Sequence, residues 1–253
     1  MTKIALITGA SSGIGEACAQ LFASEHYNLV LTGRRLDRLE KLAKKLNAKY
    51  NVEVAVSSFD VRNRDEVLSN LEQLPAKWKK VNVLINNAGL SQGLDPIQNG
   101  SIDDWDVMID TNIKGLLYVS KVVSNWMIDN KHGHIINIGS IAAKEVYQNG
   151  NVYCATKHAV DSLNQAMRID LLSHGIKVTA IHPGAVETEF SEVRFKGDKE
   201  RAKKVYDGFE PLVAADIAQT IWFVVSRPAH VNINELTVMP TAQAAASIIF
   251  RKS

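Results

Sequence analysis

Ile4-Ala5-Leu6-Ile7-Thr8-Gly9-Ala10-Ser11-Ser12-Gly13-Ile14-Gly15 decides the reading of this chain. A short apolar run, with no polar alternation, leads into a loop of three glycines, and a helix-forming stretch follows. Such a run is what a strand covered on both faces looks like, which means a parallel sheet. Glycines directly after it allow a tight turn, a close approach of backbone to a pyrophosphate and close helix–strand packing. The helix N-terminus adds free N–H groups and partial positive charge. The spacing is Gly-x-x-x-Gly-x-Gly, not the Gly-x-Gly-x-x-Gly of the common dinucleotide fingerprint. A plain turn would use the same glycines. Their place behind the first strand favours a phosphate site.

The same rhythm continues outward. Leu29–Thr32, Val52–Ser57, Val81–Ile85, His134–Ile138, Lys177–Ile181 and Glu235–Met239 have the length and composition of buried strands. Helix-length segments lie near residues 14–25, 36–50, 63–73, 103–129, 152–173 and 214–226. Alternating β and α predicts an α/β fold: one doubly wound, Rossmann-type domain over 1–253, its parallel sheet of about seven strands covered by helices on both faces. No repeat or Pro/Gly/Ser-rich linker divides the chain. Residues 184–211 are polar and charged and break the rhythm, which fits a lid or substrate segment.

The 253 residues are 46% hydrophobic and 22% charged, enough to bury a sizeable core and unlike a disordered chain. Lys+Arg number 29 against 27 Asp+Glu, a net charge of +2, too balanced for a nucleic-acid binder. Two cysteines, Cys18 and Cys154, make neither a disulfide framework nor a cysteine metal site. There is no apolar run of about 18 residues to span a membrane. The opening Met1–Thr8 is too short for a signal-peptide core, so a cytoplasmic protein is expected and the Asn99-Gly100-Ser101 sequon carries no weight.

The end of the second strand should meet the adenosine ribose, where an acidic residue binds the 2′-hydroxyl of NAD. Here the stretch reads Thr32-Gly33-Arg34-Arg35, with no carboxylate and two guanidiniums. Arginine suits a 2′-phosphate, so NADP is the expected cofactor. A solvated basic helix start, continuing through Arg38 and Lys41, would look the same. Asp60 after the third strand suits the adenine amino group or, equally, a helix cap. Tyr153 and Lys157, at i and i+4, share a helix face. A phenol's reference pKa near 10 suits a base only if a nearby ammonium lowers it. Ser140, just past the end of the fifth strand, stands where parallel sheets place ligands.

Thr8–Gly15, Asn86-Asn87-Ala88-Gly89, Asn112, Ser140, Tyr153/Lys157 and Pro183-Gly184 together resemble the short-chain dehydrogenase/reductase family, in order and over nearly the whole chain. The resemblance implies that Tyr153 is the general acid/base and that Ser140 polarises the carbonyl. Lys157 would hold the nicotinamide ribose and lower the Tyr153 pKa. Asn112 would position a relay water; with Gly115 it would otherwise mark a helix kink. Cofactor contacts are then expected from Gly9, Ser11, Ser12, Gly13, Ile14, Gly15, Arg34, Arg35, Asp60, Val61, Asn87, Ala88, Gly89, Tyr153, Lys157, Pro183, Gly184, Val186 and Thr188, with Asn87 the foremost contact on the adenosine side.

Glu187–Ser191, Val193–Asp198, Pro228–Glu235 and Met239–Gln243 are similar to the NADP-dependent 3-hydroxy acid dehydrogenases, which act on serine, L-allo-threonine and related acids. Ala143 and Gln148 depart from that pattern beside the expected site. The implied activity is hydride transfer between NADP(H) and a small 3-hydroxy acid or its 3-oxo form. A broad carbonyl reductase or 3-oxoacyl reductase is the alternative, and a non-catalytic NADP-binding regulator a remote one. Substrate contacts are expected from Ser140, Tyr153 and Arg194. A carboxylate needs a cation, and Arg194 lies in the irregular segment; Lys196 and Arg201 read as solvated. The alternative is that Arg194 pins the lid to Glu192 or Asp198. His132 and His134 lack a third ligand at metal spacing, so no metal is expected. His182 and Cys154 read as packing residues. Ile248–Phe250 suggests a subunit contact, in keeping with a family that is usually homotetrameric.

Overall fold

The computed structural model describes residues 3–252. Met1 and Thr2, which open the stretch weighed against a signal peptide, lie outside the described residues, as does Ser253. Seven parallel strands form the central sheet: β1 Ile4–Thr8, β2 Asn28–Gly33, β3 Val54–Ser58, β4 Val83–Asn86, β5 His134–Ile138, β6 Lys177–Pro183 and β9 Glu235–Val238. Their order is β3-β2-β1-β4-β5-β6-β9, the doubly wound arrangement in which β1 and β4 flank the point where the winding reverses.

The period of two in a strand explains the continuous apolar runs. Ala5 and Ile7 face one core with Leu29 and Leu31, under α1 Gly13–Ser24, α2 Leu36–Tyr50 and α9 Ala214–Val225. Ile4 and Leu6 face the other with Val30, Leu84 and Ile135, under α3 Arg64–Glu72 and α5 Leu116–Asn130. Phe22, Tyr27 and Trp222 meet edge to face, with centroids 5.1–5.8 Å apart, and lock α1 to α9.

Three elements depart from the sequence reading. The helix expected over 103–129 is α4 Ile102–Ile109, a π-turn Asp110–Gly115 and then α5. Gly115 permits the turn to press on the sheet edge: a methyl group there would lie 2.8 Å from Val61 Cγ2. The third strand begins at Val54 because Asn51, at φ 54°, ends α2 in a left-handed turn. Residues 184–211 are not structureless. They hold β7 Val186–Glu187, paired with β8 Leu212–Val213, and the short helices α7 Phe190–Arg194 and α8 Lys199–Lys204. The C-terminal stretch forms a small hairpin, β10 Gln243–Ala245 against β11 Ile248–Ile249, leaving Ile248 and Phe250 exposed. Among the described residues no helix is long and apolar enough to cross a membrane.

Candidate active site

The C-terminal ends of β1, β2, β4, β5 and β6 open into a cleft of about 440 Å³. Of the residues expected for the site, only Gly15 and Asn112 do not line it. At its floor Gly9 and Gly13 take φ +64° and +54°, conformations open to glycine. A methyl on Gly15 would lie 2.4 Å from Gly9 O, so Gly15 serves the loop's packing from beneath. The α1 N-terminus has no side-chain cap on its free N–H groups, although Ser12 stands at the cap position. That donor set suits a phosphate.

Asn87 lines the cleft beside the glycine loop. Its Nδ2 donates to Thr8 O (2.9 Å) and Gly9 O (3.2 Å), tying β4 to the glycine loop. Asp60 is not a helix cap; Asn63 caps α3, accepting from the N–H groups of Asp65 and Glu66. The Asp60 carboxylate instead holds Arg62 at 2.6 Å. Burial pushes that carboxyl up, the Arg62 bonds outweigh it, and it stays below its ordinary range. Arg34 lines the cleft and makes no hydrogen bond or ion pair among the described residues. Arg35 is engaged: it donates to Ser11 Oγ (3.0 Å), Ser12 Oγ (2.6 Å) and the Glu189 carboxylate (2.8 Å). Arg38 takes the other Glu189 oxygen at 2.7 Å. Glu189 follows Thr188 directly, and Thr188 faces Gly13 across the loop, 3.4 Å from where a methyl group there would sit.

At the other end, α6 Asn151–Asp170 presents Tyr153 and Lys157 one turn apart, both buried. Ser140 follows β5 and caps a single 3₁₀ turn, accepting from Ala142 N at 3.1 Å. Lys157 Nζ donates to Ile138 O (2.9 Å), and burial brings its pKa down to about 8. Burial also pushes the Tyr153 phenol well above its usual value, with Tyr147 adding to the rise. The influences that lower it are Arg194 and the Ser140 hydroxyl. The Lys157 ammonium lies 5.9 Å from the Tyr153 ring centroid and is bonded to the Ile138 carbonyl. Asn112 is held by its side chain, which accepts from Leu90 N (2.9 Å) and donates to Leu90 O (2.8 Å) and Thr156 Oγ1 (3.0 Å). This network sits in the π-turn.

Arg194 ends α7 with its guanidinium 5.2 Å from the Tyr153 ring centroid and 5.3 Å from that of Phe190. Its Nε donates to Ser91 Oγ (3.1 Å) and an Nη to Tyr147 Oη (2.8 Å). Neither Glu192 nor Asp198 pairs with it; among the described residues it has no carboxylate partner. Lys196 pairs with Asp104 at 3.0 Å, away from the phenol. Tyr147, Ser91, Phe190, Gln243 and Glu189 were not anticipated. Tyr147 had a signal through adjacency to Gln148, and Glu189, Phe190 and Gln243 through the stretches Glu187–Ser191 and Met239–Gln243; Ser91 had none. Gln148 itself does not line the cleft.

A doubly wound sheet, a glycine loop under an uncapped helix end and a Ser–Tyr–Lys set at the strand ends define a nucleotide-dependent dehydrogenase architecture. The chain belongs to the short chain dehydrogenase family, whose pattern matches residues 3–199. It is 44% identical to the NADP-dependent 3-hydroxy acid dehydrogenase YdfG of Salmonella typhi, over 99% of this chain and 100% of that protein. It is 43% identical to sulfoacetaldehyde reductase 2 of Chromohalobacter salexigens, covering 96% of each. Among solved structures, the closed form of serine dehydrogenase complexed with NADP+ superposes with a TM-score of 0.91. That match is at 42% identity and covers 99% of this chain and 100% of that one.

Proposed function

We propose that this protein is an NADP-dependent oxidoreductase that interconverts a small 3-hydroxy acid and its 3-oxo form. The observation that carries the substrate class is Arg194: a cation without a carboxylate partner among the described residues, 5.2 Å from the ring of the proposed acid/base. A carboxylate entering there would meet a planar donor fork, and a buried anion needs such a partner. The NADP-dependent 3-hydroxy acid and serine dehydrogenases it resembles support this reading. So does sulfoacetaldehyde reductase 2, whose named substrate is also a small anionic carbonyl compound.

Tyr153 takes the hydroxyl proton during oxidation and returns it during reduction. Ser140 donates to the same oxygen, and Lys157 holds the ribose. Asn112 has both Nδ2 hydrogens committed, so it meets a relay water as an acceptor. Arg34 meets the 2′-phosphate first, because Arg35 must leave Glu189 to join it. The glycine loop, the uncapped α1 end and Thr188 suit the pyrophosphate and carboxamide side. When bound, the nicotinamide accepts or supplies the hydride. The whole chain acts as one domain with 184–211 as its lid. Exposed Ile248 and Phe250 support a homotetramer, and two buried free cysteines suit a cytoplasmic setting.

The test is a panel of serine, L-allo-threonine, 3-hydroxybutyrate, 2-hydroxyethanesulfonate and an uncharged secondary alcohol, each with NADP+ and NAD+, read at 340 nm. Turnover of the carboxylates with NADP+ is expected. Preference for the uncharged alcohol would overturn the substrate class; preference for the sulfonate would keep the anion site and change the acid.

A further inference from the structure

Behind Ser140, on the side away from the cleft, four elements meet at a charge cluster that none of the proposed steps uses. Lys144, at the end of the 3₁₀ turn that Ser140 caps, donates from Nζ to Asp161 Oδ2 (3.0 Å) and Glu235 Oε2 (2.8 Å). Asp161 stands on α6 and Glu235 opens β9. His182, near the end of β6, is fully buried, and its Nε2 lies 3.4 Å from Asp161 Oδ1 and 4.0 Å from Glu235 Oε2. Asp161 Oδ1 and both His182 nitrogens have no hydrogen-bond partner among the described residues. The two carboxylates and the imidazole offer atoms within 4.8 Å of one another. The cation already between the carboxylates is the Lys144 ammonium.

The cluster is coupled to the reacting groups at both ends. Asp161 continues the i, i+4 series Tyr153–Lys157–Asp161, so it shares the helix face of the acid/base pair. Lys144 closes the turn begun by Ser140: Ala143 N donates to Ser140 O (2.8 Å) and Lys144 N to Ile141 O (2.9 Å). His182 supports the same turn from below. A methyl on Gly139, the residue before Ser140, would lie 2.4 Å from His182 Nδ1. Burial is the main influence keeping His182 neutral, and the Lys144 charge adds to it, so the ammonium has the carboxylates to itself.

We propose that Lys144 is a positioning residue: by bridging Asp161 on the Tyr153 helix to the turn that carries Ser140, it sets the separation of the two hydroxyls that must meet one substrate oxygen. Misplacement by about 1 Å at such a point costs about a hundredfold in rate. Lys144 does not line the cleft, so its effect belongs in kcat rather than in cofactor binding.

This rests on Ser140 and Tyr153 being the acting pair, not on which acid is the substrate. The experiment uses Lys144→Met and Lys144→Arg in the full-length enzyme, with whichever substrate the wild type turns over, well below each variant's Tm. Lys144→Met should lower kcat at least tenfold and leave the NADP+ Kd, read by fluorescence titration, within about twofold. Lys144→Arg, which can still bridge both carboxylates, should recover most of the loss. Glu235→Gln, altering a half-exposed partner, should give a smaller kcat loss of the same kind if Lys144→Met fails to fold. Lys144→Met with kcat within twofold of wild type would overturn the proposal, as would a loss that Arg does not recover. Tyr153→Phe measured alongside separates the two claims: if it keeps full turnover, the acting pair has been misassigned.

Discussion

At the cofactor end, Gly9 and Gly13 hold φ +64° and +54°, and Gly15 packs against Gly9 O at a distance no side chain tolerates. At the substrate end, Arg194 is placed by Ser91 Oγ and Tyr147 Oη, 103 and 47 residues away in sequence. The first region is fixed by backbone conformation within one strand–loop–helix unit. The second is fixed by side chains that only the folded chain brings together. The two meet at Glu189, which answers Arg35 and Arg38 at the cofactor end and immediately precedes the helix that carries Arg194. Local backbone rules therefore shape the glycine loop, while long-range contacts place Arg194.

The largest effect expected is at the point where the two ends join. Tyr153→Phe removes the phenolic proton from a ring buried between Arg194 and Ser140. Turnover should fall roughly 10²–10⁴-fold, with NADPH binding unchanged by fluorescence titration. Retention of more than about a tenth of the activity would assign the proton to another group.

Arg34→Ala isolates the cofactor end. Losing a charge-assisted bond of about 1.5–3 kcal/mol should weaken NADP+ roughly ten- to hundredfold and barely change NAD+. Equal losses for both would mean that Arg34 does not read the 2′-phosphate and that Arg35, released from Glu189, does.

A pH measurement separates the rigid sheet from the lid. His134, buried at the start of β5 with Nε2 2.8 Å from Thr179 Oγ1, is brought down to about 3 by burial. The unfolded chain binds this proton below about pH 6.5 and the folded chain does not. Stability from this group is thus complete above pH 6.5 and is lost as pH falls toward 3, by up to about 1.4 kcal/mol per pH unit. In urea unfolding, His134→Gln should show a shallower loss between pH 6.5 and 4. An unchanged slope would place the acid sensitivity elsewhere.

What was legible in the sequence follows the same division. The apolar runs of β1, β2, β4 and β5 and the glycine loop were readable because strand period and left-handed turns are local. The doubly wound class followed from the β–α rhythm and the handedness of crossovers, while the strand order β3-β2-β1-β4-β5-β6-β9 comes from the structure. The π-turn at Asp110–Gly115 was not readable, because its signals, Asn112 and Gly115, acquire meaning only against Leu90 and Val61. The engagement of Arg35 with Glu189 was hidden by a separation of 154 residues. Polar composition made 184–211 read as a loop, although Asp198 caps α8 and Ala202 buries one side of it. Sequence shows that a lysine is near the Tyr153 phenol, but not that the phenol is deeply buried or that the ammonium is bonded to Ile138 O.

The substrate end is tested most directly by Arg194→Ala, assayed on serine or a 3-hydroxybutyrate-type acid and on an uncharged ketone or dione. If the Arg194 guanidinium, held by Ser91 and Tyr147 against the Tyr153 ring, receives the carboxylate, KM for the acids should rise about tenfold or more, while the uncharged substrate changes little. An unchanged KM for the acids would contradict the contact, and parallel losses on both substrate types would reduce Arg194 to a pin for the lid.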